Sequence, residues 1–220
     1  MQLLLELFCE EIPARMQKRA AEDLKTHIVD GLKEMSLSFK EAQGFVTPRR
    51  LVILVDGIPQ AQPNVMEERR GPRTDAPEKA VQGFLRGNDL TLDQCEKRNT
   101  EKGEFWFAVI DRKGRKTDEV LKFLLPDAIH KLHWQKSMRW GRGSFRWVRP
   151  LERVMCVLDG ELLPFELGDG IQSCSVTTGH RFLGAEPFEV EFFNDYEKTL
   201  RDKKVVLNGA VRTQLIEEAA

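Results

Sequence analysis

The chain has 220 residues, of which 41% are apolar and 31% are charged, a balance typical of a folded protein rather than a disordered one. Its 34 lysines and arginines nearly cancel its 35 acidic residues, and the formal charge is -1. Such a chain has no overall attraction to polyanions, so any nucleic-acid surface must be a local patch. No apolar run approaches the ~20 residues that cross a membrane.

The amino-terminal residues carry no targeting signal. MQLLLELFCEE lacks the basic region of a signal peptide and turns acidic early, so we expect a cytoplasmic protein. The scattered cysteines form no CxxC pair, which predicts reduced and mostly buried thiols. His130 and His133 have the spacing of two metal ligands but lack a third, so we predict no metal site. No phosphate-loop or nucleophile-elbow motif is present, and we predict no catalytic residue.

The first sixty residues predict a β-α-β-β unit. Residues 2–8 are apolar and predict a strand, and Pro13 stands where a helix can begin without losing a hydrogen bond. The helix has apolar residues at helical spacing. Residues 39–46 and 51–58 predict two strands with a break between them. This order of elements predicts an α+β fold with mixed or antiparallel sheets and packed helices.

The domain organisation follows from a stretch rich in proline and charge. Residues 63–77 are predicted to be a linker or loop. We assign 1–62 to the β-α-β-β unit and 78–220 to an α+β region, which alternatively forms one domain with 1–62. In that region, residues 104–111 predict a strand and residues 117–132 a helix.

Residues 131–153, here called the basic segment, are the strongest local feature. Positive residues and tryptophans alternate there, and Glu152 is the only acid. Arginine binds phosphate through paired hydrogen bonds and tryptophan stacks on unpaired bases, so the segment predicts an RNA-contacting loop. The alternative is that the tryptophans belong to the core and the arginines pair with carboxylates elsewhere. The candidate RNA-binding residues are Lys136, Arg139, Trp140, Arg142, Arg146, Trp147 and Arg149.

Three further arginines are candidate RNA contacts. Arg49 and Arg50 follow a proline that stiffens their turn, and Arg181 follows His180 after two hydroxyl residues. Their guanidinium groups have the chemistry to contact phosphate. The alternatives are a solvated loop for Arg49 and Arg50 and, for residues 177–183, a turn whose hydroxyls satisfy its own backbone.

Four segments carry a resemblance to a known family. They are LLELFCEEIP (4–13), TPRRL (47–51), KSMRWGRGSFRWVRP (136–150) and TTGHRFL (177–183). Together they resemble the amino-terminal part of the β subunit of bacterial heterotetrameric glycyl-tRNA synthetases. The similarity runs along nearly the whole chain, and one departure is Cys9, where a small polar residue is expected.

The resemblance implies a non-catalytic part of an α2β2 ligase that attaches glycine to its tRNA. The expected partners are the α subunit and the tRNA for glycine, with no membrane. ATP and Mg²⁺ would be used through the α subunit, and no cofactor is expected on this chain. The resemblance also implies a fold like the B3/B4-type domains of phenylalanyl-tRNA synthetase β chains. Two roles stay open: supporting tRNA binding and assembly, or docking the α subunit without touching RNA.

Overall fold

The computed structural model describes residues 1–88, 90–100 and 103–220, with residues 109–112 described by their backbone alone. The described chain divides into two compact units. Residues 1–61 and 116–220 form the main unit, and residues 62–115 form an inserted unit. The chain therefore leaves the main unit after Ala61 and returns at Lys116. This division differs from the predicted 1–62, 63–77 and 78–220, because the carboxy-terminal half completes the sheet that the first strands begin.

A mixed sheet forms the centre of the main unit. Its strands, in order across the sheet, are β2 (Glu41–Thr47), β3 (Arg50–Asp56), β1 (Gln2–Cys9), β7 (Leu151–Leu158) and β8 (Glu161–Leu162), with β9 (Ser173–Cys174) also on β7. Neighbouring strands are antiparallel, except that β9 pairs with β7 in parallel. The predicted α+β class with mixed or antiparallel sheets is confirmed. The further likeness to B3/B4-type domains stays a prediction.

Strand β1 is buried on both faces, which explains its nearly unbroken apolar sequence. Because successive side chains point to opposite faces of a sheet, Leu3, Leu5 and Leu7 join one apolar cluster and Leu4 joins another. Glu6 lies on the same face as Leu4 and is fully buried. The strand therefore places one carboxylate inside the protein, where it needs partners.

Helices cover both faces of this sheet. One face carries α1 (Ala14–Glu34) and α3 (Thr117–His130), whose apolar stripes join the cluster of Leu3, Leu5 and Leu7. The predicted helix over 117–132 is confirmed, and it continues through Pro126. Among the described residues, no helix has the length and apolar character that crossing a lipid bilayer requires.

The opposite face is covered by the carboxy-terminal part of the main unit. Helix α4 (Phe193–Asp202) packs Tyr196 and Leu200 against the sheet, while α5 (Gly209–Ala219) buries none of its residues. A two-stranded ribbon precedes α4, made of β10 (Val176–Thr178) and β11 (Pro187–Glu189).

The inserted unit is a small antiparallel sheet with one helix. Its sheet order is β4 (Val65–Arg73), β6 (Gly103–Arg112) and β5 (Cys95–Thr100), and α2 (Glu78–Asn88) follows β4. The predicted linker at 63–77 is wrong where β4 forms. A strand of exposed charges is stable here because it pairs with β6 as an edge strand. Pro72 falls at the register shift between Arg70 and Arg73, where proline is tolerated.

Candidate nucleic-acid interface

The basic segment contains a loop that is closed by one pair of backbone hydrogen bonds. Met138 N donates to Trp147 O over 2.8 Å, and Trp147 N donates to Met138 O over 3.1 Å. Gly141 has a φ of +60°, a left-handed conformation that glycine adopts without strain. Met138 and Trp147 therefore close the loop of residues 139–146 at its base.

Aromatic rings anchor this loop to the main core. Trp147 is 1% exposed and lies edge-to-face with Trp134 at 5.0 Å, while Phe145 stacks on Trp147 at 5.8 Å. Trp140 is half-buried and meets Phe145 edge-to-face. Of the two candidate tryptophans, Trp147 is closed to a nucleic-acid base, and Trp140 keeps an accessible surface.

The positive candidate residues of the basic segment are on the outside. Lys136, Arg139, Arg142, Arg146 and Arg149 are all exposed, and within the described ranges none of them forms an ion pair with a carboxylate. Arg146 Nε donates to Ser137 Oγ over 3.2 Å, and Arg149 Nη1 donates to the carbonyl oxygen of Val148. The tryptophans thus belong largely to the core, as the alternative hypothesis holds. The pairs between arginines and carboxylates that the same hypothesis predicts are not found for these arginines in the described chain.

The loop is fixed by Asp169, a residue that no sequence motif indicates. Asp169 Oδ2 accepts a hydrogen bond from Phe145 N at 2.5 Å. A Cβ atom at Gly143 would collide with the same carboxylate, so any larger residue there must displace Asp169. The flanking glycines of Gly168-Asp169-Gly170 indicate a turn in the sequence, but nothing in the sequence indicates its distant partner.

Arg50 lies inside the protein rather than at a phosphate-binding surface. Its side chain is 3% exposed, and its Nε donates to Glu6 Oε2 over 3.0 Å. Its Nη2 donates to the carbonyl oxygens of Thr178 and Gly179. The Tyr196 hydroxyl donates to Glu6 over 2.6 Å. Burial and the Glu6 carboxylate raise the pKa of Tyr196 well above its usual value, so this hydroxyl remains a donor.

Arg49 and Arg181 share the carboxylate of Glu10. Arg49 pairs with Glu10 at 3.6 Å and also with Glu152, while Arg181 pairs with Glu10 at 3.1 Å. Desolvation works to raise the pKa of Glu10, but Arg49, a hydrogen bond with Glu152 and Arg181 together lower it. These two arginines are therefore largely neutralised by carboxylates of the same chain.

The structure brings the TPRR and TTGHR motifs together around one cleft. The cleft has a volume of about 270 Å³ and contains Arg49, Arg50 and Arg181. Its other lining residues are Glu11, Thr47, Pro48, Gly179, His180, Lys204, Val205, Val206 and Arg212. The candidate residues therefore fall into two groups, the exposed loop of the basic segment and this cleft. Among the described residues, no group of three or more His, Cys, Asp or Glu side chains is placed to hold a metal ion.

Comparison with known proteins finds the same family that the four sequence segments resemble. A family model described as glycyl-tRNA synthetase beta subunit matches residues 3–220. A glycine–tRNA ligase beta subunit of Paracoccus denitrificans is 47% identical over 222 residues, covering 99% of this chain and 32% of its own length. Relatives of the same name from a Ruegeria species and from Rhodospirillum centenum are 47% and 43% identical, covering 99% and 98% of this chain.

The matched region is a minor part of these relatives. The chain spans about a third of the length of the curated relatives that it matches, 32% and 34% in two of them. The match nevertheless runs along nearly the whole of this chain, including the basic segment and both motifs at the cleft. The chain therefore belongs to the family of glycyl-tRNA synthetase β subunits, of which it resembles one portion.

Proposed function

We propose that this chain supports tRNA binding and assembly in a ligase that attaches glycine to its tRNA, with the basic segment as its RNA-contacting surface. One observation carries the proposal. Lys136, Arg139, Arg142, Arg146 and Arg149 are exposed without a carboxylate partner in the described chain, whereas Arg49, Arg50 and Arg181 are ion-paired. Unpaired surface cations are free to neutralise phosphates and release counterions.

The loop geometry supports this role in a second way. The buried rings of Phe145 and Trp147 and the hydrogen bond from Asp169 hold the loop backbone in place. Residues 145–147 alternate inward and outward, so Arg146 is exposed between two buried rings. Cations on a fixed backbone lose less conformational freedom on binding than cations on a free chain. Trp140 adds a partly exposed ring on which an unpaired base can stack.

We assign amino-acid activation to a partner subunit and none of it to this chain. The relatives are named as β subunits, which supports an α subunit as partner, and we propose an α2β2 assembly in the cytoplasm. In that assembly ATP and Mg²⁺ would act through the α subunit. Our proposal for this chain is confined to binding tRNA and maintaining the assembly.

A filter-binding assay with the tRNA for glycine over a salt series tests the RNA-contact proposal. Replacing Arg139, Arg142 and Arg146 together with alanine should lower the slope of log affinity against log salt by about 2 to 3, since each phosphate contact contributes ~0.7 to 0.9. A matched variant replaces three exposed arginines outside the segment, Arg15, Arg86 and Arg201, and should keep most of the slope. An unchanged slope in the first variant, or equal losses in both, would contradict the proposal.

The alternative is a structural module that docks the α subunit without touching RNA. Helix α5 favours it, because none of its residues is buried and Leu215 and Ile216 are 42% and 69% exposed. Exposed apolar side chains on one helix are typical of an interaction surface. Co-purification with the α subunit in the absence of tRNA, lost on Ile216→Glu, would support docking. If the basic-segment variant also bound tRNA normally, docking would be the better account of this chain.

A further inference from the structure

The cleft beside the TPRR and TTGHR motifs is bounded by segments that arginine side chains join through hydrogen bonds. Its walls are tied together by Arg212, whose Nη1 donates to Val206 O over 2.7 Å and whose Nη2 donates to Val46 O over 3.0 Å. Arg50 similarly ties the turn at Gly179 to β3. The cleft volume of about 270 Å³ is slightly below the ~300 Å³ at which the usual range of ligand sites begins. It suits one nucleotide-sized group and not a folded RNA element.

One hydroxyl in the wall of this cleft is buried. Thr47 lines the cleft and is 5% exposed, and its Oγ1 finds no hydrogen-bond partner among the residues that the structure describes. That oxygen has almost no accessible surface, so a ligand in the cleft does not reach it. Thr47 therefore forms part of the wall, and the contacts to a ligand come from the groups that face the cleft.

The other polar groups at the cleft select an anion. Lys204 is exposed and, in the described chain, forms no ion pair, and its φ of 64° is a conformation that costs a non-glycine residue. His180 Nδ1 accepts from the backbone N–H groups of Phe182 and Leu183 at 3.2 and 3.3 Å. With Nδ1 accepting, Nε2 is the ring atom left to donate. Glu11 is the one acid in the cleft lining.

An exposed aromatic ring stands next to these donors. Phe182 is 81% exposed, and its ring centroid is 6.1 Å from that of His180. The Arg181 guanidinium carbon is 5.8 Å from the same centroid. A phenylalanine left in water gains by covering its face, and a nucleobase is the flat group that accompanies a phosphate.

We infer that this cleft binds a nucleoside monophosphate unit, with the phosphate held by Lys204 and His180 and the base against Phe182. The site uses no residue of the basic segment, so it stands independently of the proposed tRNA surface. A free nucleotide and the unpaired end of an RNA strand both present this chemistry. Binding alone is proposed, and no bond is made or broken.

Calorimetric titration of the chain with AMP, adenosine, inorganic phosphate and a single-stranded RNA tetranucleotide tests the inference. AMP should bind more tightly than adenosine or phosphate, because it uses both parts of the site. Lys204→Gly relieves the backbone conformation while removing the charge, and it should weaken AMP about tenfold. Phe182→Ala should weaken AMP and leave the affinity for phosphate unchanged. Lys18→Ala, which removes an exposed charge on α1 away from the cleft, should leave every affinity unchanged.

Thr47→Val separates a binding role from a structural one. Removing an unsatisfied buried hydroxyl should keep or raise the melting temperature and leave AMP affinity unchanged, since that hydroxyl does not face the cleft. Tighter binding of the tetranucleotide than of AMP would assign the site to RNA, and the reverse order to a free nucleotide. The inference is overturned if the folded chain binds neither at millimolar concentration, or if Lys18→Ala weakens AMP as much as Lys204→Gly does.

Discussion

Glu6 and Arg50 form an ion pair inside the main unit, with Arg50 Nε donating to Glu6 Oε2 over 3.0 Å. The two residues lie on adjacent antiparallel strands, and the pair is completed by the hydroxyls of Tyr196 and Thr177. It joins the sheet to α4 and to the turn at Gly179. One wall of the cleft is therefore positioned by a carboxylate on the central strand.

Removing one partner of this pair should be strongly destabilising. Arg50→Ala leaves the Glu6 carboxyl buried without its cationic partner, and we expect a loss of about 3 to 5 kcal/mol in the free energy of unfolding. Arg49→Ala is the neighbouring control, and its partly exposed pairs should cost about 1 kcal/mol or less. Urea denaturation followed by tryptophan fluorescence measures both. Equal losses in the two variants would show that burying the Glu6–Arg50 pair does not make its removal more destabilising.

Because Gly143 contacts Asp169, substitutions at the two loop glycines, Gly143 and Gly141, should differ in their effect on stability. Gly143→Ala displaces the Asp169 carboxylate from Phe145 N, and we expect a loss of about 2 kcal/mol in the free energy of unfolding. Gly141 has open space around its Cα, so Gly141→Asn should cost less than about 1 kcal/mol, since asparagine tolerates a left-handed φ. Urea denaturation and near-ultraviolet circular dichroism compare the two variants. A larger loss at Gly141 would contradict the assigned role of Asp169.

Glu10 should contribute a small stabilisation that depends on pH. Because its folded pKa is lowered below the ordinary 4.5, the ionised form favours the folded state. The contribution is present above pH 4.5 and is lost as pH falls through the lowered value. Glu10→Gln should therefore cost less than about 1 kcal/mol at pH 7, given its exposure, and nothing at the acid end. A cost that grew on acidification would reverse the sign and refute the pairing with Arg49 and Arg181.

The cysteines should separate by burial in their reactivity. Burial raises the pKa of the Cys9 thiol to about 12, and Cys156 is also fully buried, whereas Cys95 and Cys174 are half-buried. Brief treatment of the folded chain with iodoacetamide at pH 8, read by mass spectrometry, should modify Cys95 and Cys174 ahead of the other two. Early modification of Cys9 without unfolding would contradict the structure.

The raised pKa of Cys9 also determines how this residue affects stability at alkaline pH. The unfolded thiol ionises near pH 9 and the folded one near 12, so the neutral thiol favours the folded state. This contribution is complete below pH 9 and is lost as pH rises above it. Denaturation curves of Cys9→Ala should therefore depend less on pH between 9 and 11 than those of the parent chain. An equal or steeper dependence in the variant would count against the raised pKa.

Local pattern was sufficient for the elements with strong apolar periodicity. The strand of residues 2–8 and the helices that begin near Pro13 and Thr117 are predicted and found, because burying an apolar stripe dominates their energy. Strands β4 and β5 have no such stripe. Both strands form by pairing with β6, which carries the apolar residues of this small sheet. Strand β6 is distant in sequence from β4.

The sequence by itself determined the family, the α+β class, and the concentration of cations and tryptophans at 131–153, since composition and spacing are local properties. Only the tertiary structure decided which cations remain unpaired. Arg50 meets a carboxylate 44 residues away, and Arg181 meets one 171 residues away. The arginines of the basic segment meet none in the described chain. Charge neutralisation depends on distances between folded side chains, and those distances exist only once the sheet and its helices have packed.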